Sequence, residues 1–157
     1  MAQQTRAGHV HVISNIGSFG EEVFKIGMTR RLEPLDRIRE LGDASVPFEF
    51  DVHAMIFSDD APGLEKQLHR HFLSQQINKV NPRKEFFRLK LAEIRQELET
   101  LGVETHWTMS ALALEFRETQ RIEQQIRDNP AIAAEWTRHQ IEMEEALDVV
   151  EEEEVLS

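Results

Sequence analysis

HVHVISNIGSFGEEVFKIGMT, residues 9–29, sets two β-rich runs on either side of a glycine-containing turn. Val10–Asn15 and Val23–Gly27 are rich in β-branched and aromatic residues, and the seven residues IGSFGEE between them carry two glycines. The pattern predicts a pair of strands joined by a turn longer than a tight two-residue loop. Alternate residues of paired strands share a face, which puts His11 and Lys25 on one side.

Downstream, Pro34 leads into LDRIREL, Leu35–Leu41, with apolar residues at 35, 38 and 41 and Gly42 as a natural stop. Phe48–Phe57, FEFDVHAMIF, alternates apolar and polar residues and predicts a third strand. Asp59 and Asp60 precede Pro62, an N-cap and first-turn signature for a helix over Pro62–Gln75. The polar, basic run INKVNPRK then closes on a short aromatic strand at Glu85–Leu89. Leu91–Leu101 is an amphipathic helix stopped by Gly102. The order β–β–α–β–α–β–α describes a small α+β unit ending near residue 101. Met109–Arg127 and Ala131–Val150 then read as charged helices broken at Asp128-Asn129-Pro130. They form a helical extension over residues 108–150, and the acidic tail 151–157 is expected to be disordered.

Charge divides the same way. Residues 1–101 hold 14 Lys+Arg against 15 Asp+Glu, whereas residues 102–157 hold 4 against 14. The first part is thus free to present a basic face to a polyanion, and the second repels one. The sequence contains no cysteine, which excludes disulfides and thiolate metal sites. No apolar run approaches the ~20 residues that span a bilayer. A cytoplasmic location is the expectation.

Three blocks carry a family resemblance: VHVISNIGSFGEEVFKIGMTRRLEPLDRIREL, then LEKQLHRHF, then NKVNPRKEFFRL. Together, over about residues 8–100, they resemble the GIY-YIG nuclease superfamily, and within it the branch of phage Orf-172-like DNA-binding domains. The resemblance implies a small three-stranded, mixed or antiparallel sheet flanked by helices. It also implies hydrolysis of DNA phosphodiester bonds with one Mg²⁺ or Mn²⁺. The tyrosine of the first family motif falls on His11 and that of the second on Lys25, with Gly27 in its place. The family's arginine falls on Arg37, its metal-binding glutamate on Glu65, and its late polar residue on Asn81, with Asn78 in reserve. The chain has no tyrosine at all.

The chemistry asks for these residue types. In-line attack by water builds charge on the phosphoryl oxygens, so the site must supply a cation, a proton acceptor and fixed positive charge. Glu65 alone can ligate Mg²⁺, which keeps several waters. Arg37 offers a planar fork to phosphate, Lys25 steadies the transition state, and His11 takes the proton if its imidazole titrates near neutrality. Each has an ordinary alternative: a solvated helix glutamate, an arginine paired on its own helix, an exposed strand lysine, a satisfied structural histidine. Arg30, Arg31, His69, Lys79, Arg83 and Lys84 are candidate DNA contacts, or equally solvated loop and helix residues. Glu65 and His69 share a helix face at metal-pair spacing, without any HExxH pattern. Glu85 is assigned to the sheet edge with no chemical role.

Two other functions fit parts of the chain. One is a DNA-binding module of the same fold whose missing tyrosines mark lost catalysis. The other is a protein-interaction domain built on the C-terminal helices, through which a homodimer would form.

Overall fold

The computed structural model describes residues 5–81 and 83–156. Strands β1 (Gly8–Ser14), β2 (Val23–Thr29), β3 (Asp51–Ser58) and β4 (Phe86–Arg88) form one sheet in the order β3-β1-β2-β4. Every neighbouring pair is antiparallel. The sheet therefore has four strands where the family resemblance implies three: the short FFR segment pairs Phe86 with Lys25 and Phe87 with Phe24 on the free edge of β2.

Central β1 is covered on both sides, and its alternation sorts two kinds of residue. Val10 and Val12 join Phe24, Ile26, Ala54 and Ile56 in an apolar core. That face is closed by Leu68 and Phe72 of α3 (Ala61–His71) and by Ile94 and Leu98 of α4 (Leu91–Thr100). The opposite parity carries His11, which stands across from Gly27, and Lys25, across from Ile13. A register irregularity between Val12 and Ile13 interrupts the β1–β3 ladder.

The element boundaries follow local chemistry. The turn between β1 and β2 contains a single helical turn, α1 (Ile16–Phe19), instead of plain loop. Asn15 makes it possible: its Oδ1 accepts from Ser18 N–H at 3.2 Å while its Nδ2 donates to the Phe48 carbonyl at 2.6 Å. Helix α2 (Pro34–Ala44) continues through Gly42, which does not adopt the left-handed conformation of a C-terminal cap. Gly102 does adopt it, at φ +75°, just beyond α4. Asp60 caps α3 by accepting from Gly63 N–H at 3.1 Å. That helix ends at His71, and the turn Leu73–Gln75 is 3-10. Strand β3 starts at Asp51 because Phe48 and Phe50 are used as loose packing pieces, against Phe116 and Phe19.

The chain divides into two compact units, the first reaching Phe116 and the second beginning at Arg117. The first thus extends well past Gly102, because the segment after it is pinned to β3. Thr108 N–H donates to the His53 carbonyl at 2.9 Å, and the buried His53 ring returns a bond from Nδ1 to the Thr108 carbonyl at 2.5 Å. A carbonyl only accepts, so Nδ1 bears the proton and Nε2 accepts from the Ser14 hydroxyl at 2.7 Å. Helix α5 (Leu114–Asp128) crosses the boundary into the second unit, which holds α6 (Ile132–Leu156). The glutamates 151–154, expected to be disordered, continue α6 as helix. No helix among the described residues is long and apolar enough to cross a membrane.

Candidate active site

Gly27 is the point around which the site is built. A Cβ placed there would lie 2.6 Å from His11 Nε2 and 2.8 Å from a Glu85 carboxylate oxygen. An imidazole from one strand and a carboxylate from the loop before β4 therefore converge above a residue that must lack a side chain. Gly27→Ala forces one of them aside, and the His11 ring is fully buried. We expect a loss of about 1–3 kcal/mol in urea unfolding, with a chemical-shift change at His11.

Lys25 supplies the positive charge. Its ammonium is paired with Glu85 and lies 5.8 Å from the centre of the Phe86 ring. The pair is mostly shielded, with 13 % of the lysine side chain and 28 % of the glutamate side chain exposed. Glu65 comes from α3. Burial pushes its carboxyl up to about 7, Glu85 adds to the rise, and Lys25 opposes it. The two carboxylates and the ammonium therefore share one electrostatic environment. His69, one turn beyond Glu65, donates from Nε2 to the Ile26 carbonyl at 2.6 Å and packs on Phe87. It latches α3 onto β2 beside Gly27 and so sets where Glu65 sits.

His11 behaves differently from the near-neutral base expected from the sequence. It is 1 % exposed, and among the described residues both ring nitrogens lack a hydrogen-bond partner. Burial, and then the charges of Lys25 and Arg37, push its pKa down to about 3. The imidazole is therefore neutral at physiological pH, a positioned donor and acceptor and a weak base. Arg37 lies on exposed α2, with one guanidinium nitrogen 3.7 Å from Glu40. Its charge adds to that of Lys25 in lowering the pKa of His11.

The remaining predicted residues separate. Asn81 Oδ1 accepts from Arg83 N–H at 3.0 Å, and Asn78 Oδ1 accepts from Asn81 N–H at 2.9 Å. Both asparagines build the turn of the 77–85 loop, and neither lines the pocket beside Glu65. Lys79 caps the carbonyls of Ser74 and Gln76. Arg30 donates to the Thr5 carbonyl at 3.2 Å, and Arg31 pairs with Glu40. Arg83 does line the pocket, whereas the exposed Lys84 side chain does not. The sequence also missed Lys66 and Arg70, which join Glu65 and His69 along the wall supplied by α3. Their spacing from Glu65 was the available signal. Among the described residues, no three His, Asp or Glu side chains cluster tightly enough to cage a metal ion.

A family model, the T5orf172 domain, matches residues 8–102. The chain belongs to the T5orf172 domain family. The match begins at the first residue of β1 and ends at the left-handed Gly102 after α4. It thereby covers the whole sheet and every residue of the site, and leaves α5 and α6 outside. Comparison with curated proteins and with solved structures gave no match. Within the T5orf172 domain, Glu85 is a site residue that sequence spacing could not identify, because strand pairing brings it to Lys25 from 60 positions away.

Proposed function

We propose that this T5orf172 domain hydrolyses DNA phosphodiester bonds through a GIY-YIG-type site that works with one Mg²⁺ or Mn²⁺. The family is one of nuclease-like, DNA-binding domains. The observation that carries the proposal is that Glu85 joins three groups: it meets His11 over Gly27, pairs with Lys25 and lines one pocket with Glu65. Paired carboxylates at a partly buried position, one of them raised to about 7, are a donor set suited to a divalent cation. Mg²⁺ is commonly held by one or two carboxylates with water in its other positions, so a closed cage is not required. Glu65 would be the principal ligand, with Glu85 beside it; the ion, when bound, supplies Lewis acidity and a water of lowered pKa.

The chain's own groups do the rest. Arg37 has its guanidinium half exposed and free to turn from Glu40 toward a phosphate, which it would clamp in two-pronged fashion. Lys25, held by Glu85 against Phe86, offers fixed positive charge to the developing oxyanion without reorganising. His11, neutral and unpartnered, orients a water or a phosphoryl oxygen through one ring nitrogen. A phosphate arriving near Lys25 and Arg37 offsets their charges and raises His11 again, but the larger effect, burial, persists. His11 thus aligns the nucleophile more than it takes its proton.

That same low basicity favours a second reading, a DNA-binding module of this fold without catalysis. Plasmid nicking with Mg²⁺ or Mn²⁺ separates the two. For the nuclease, the wild type nicks and Arg37→Ala is slower by about 100-fold or more. Intact binding with no nicking by the wild type establishes the module.

A further inference from the structure

A pocket of about 670 Å³ opens beside the site. Glu65 and Glu85 belong to its lining, together with Lys66, Arg70, Leu73 and Arg83. Because Glu65, Lys66, Arg70 and Leu73 succeed one another on α3 and the turn that follows it, the pocket is a groove along that helix. Eight residues of helix span about 12 Å, the length of a few stacked nucleotides at about 3.4 Å each. The cations here differ from those that are tied to carboxylates elsewhere in the domain. Arg6, Lys25, Arg31, Arg37 and Arg39 each hold an acidic partner. The side chains of Lys66, Arg70 and Arg83 make no hydrogen bond or ion pair within the described residues. Three unpaired cations thus line one groove, with Leu73 56 % exposed among them.

We propose that this groove binds an unpaired DNA strand, with Lys66, Arg70 and Arg83 on successive phosphates and a base against Leu73. The proposal deepens the nuclease reading and rests on it only for which phosphate meets Glu65. The volume falls in the ~300–1,000 Å³ range of pockets that enclose one small molecule. A B-form duplex keeps its bases paired and stacked inside, so it would offer this lining its phosphates and leave the exposed Leu73 without a base face. An unstacked strand enters the groove, and an apolar side chain then contacts the exposed base face.

The test is fluorescence anisotropy of the full chain in EDTA, with a labelled single-stranded oligonucleotide and a duplex of equal length. The wild type is expected to favour the single strand. Lys66→Ala/Arg70→Ala and Arg83→Ala should weaken strand binding by about tenfold or more. The slope of log affinity against log salt should shrink by about 0.7 per cation removed. Leu73→Ala should weaken binding with the slope unchanged, a signature of base contact that general electrostatics does not produce. Tighter binding of duplex than strand, or cation variants that bind the strand like the wild type, would overturn the proposal. Arg95→Ala, an exposed cation on α4 outside the groove, serves as the control and should bind the strand as the wild type does. Strand binding without nicking removes the nuclease and leaves the groove; nicking with strand binding indifferent to all three cations removes the groove and leaves the nuclease.

Discussion

Glu65→Gln should cut no DNA yet unfold at higher temperature than the wild type in metal-free buffer at pH 8. The carboxyl titrates at about 7 in the folded chain against an ordinary 4.5. The folded state therefore holds the proton more tightly than the unfolded one, and stability falls as pH rises from 4.5 through 7. Above pH 7 the whole penalty of an ionised, half-buried carboxylate beside Glu85 is present. Glutamine keeps the shape and removes the charge. Solvent screening at a partly exposed group reduces the gain to about 1 kcal/mol, or about 2–6 °C in a domain of this size. Paired melts in EDTA at pH 5 and pH 8 check it: the gap between variant and wild type should open only at the higher pH. Equal gaps at both would remove the electrostatic assignment. Nicking should fall by about 100-fold or more, because no carboxylate remains on α3 to hold the cation. A substitution that stabilises the fold while removing activity marks a residue kept for chemistry at the expense of stability.

His11 should make the domain acid-sensitive in the opposite sense. Its pKa is about 3 when folded against an ordinary 6.5, so the unfolded chain binds the proton more readily. The stability is fully present above pH 6.5 and drains away as pH falls toward 3. Between pH 7 and pH 4 the loss amounts to about 3 kcal/mol at this buried ring. Urea midpoints across that range should show it, superimposed on the carboxylates. His11→Gln, which cannot take up the proton, should flatten the slope whatever it does to stability at pH 7. A slope unchanged by the substitution would mean that His11 is not the group titrating.

Much of the architecture is legible in local pattern. The alternation of VHVIS and VFKIG, the Asp60-Ala-Pro62 helix start and the Gly102 stop each act over a few residues, and all are realised. The boundaries that moved are those where distant packing competes with local preference. Gly42 reads as a stop but stays helical, with the backbone at Glu49 3.4 Å from where its Cβ would be. The helix read from Met109 begins only at Leu114, because the segment before it is ordered by His53 and Asp51 on β3 instead of by its own periodicity.

The site divides along the same line. Lys25, Arg37 and Glu65 are the positions to which the family resemblance points, and the fold sets Lys25 and Glu65 in one electrostatic environment with Glu85. Glu85 could not be named in this way, because nothing local marks it, whereas Lys66 and Arg70 carried a local signal in their helical spacing from Glu65. Glu85 acquires meaning only when β4 pairs with β2 and sets its carboxylate over Gly27. Asn81 shows the converse: a polar residue at a suggestive position is consumed by its own turn.

The parity of each strand and the residue types available for chemistry are written in the chain, because side-chain alternation and capping are local properties. Only the tertiary structure decided how those groups titrate. The amount of water removed from His11 and Glu65, and the charges set beside them, depend on strands and helices meeting across dozens of residues. Desolvation and Coulomb energy follow distance in space, and separation along the chain does not report it.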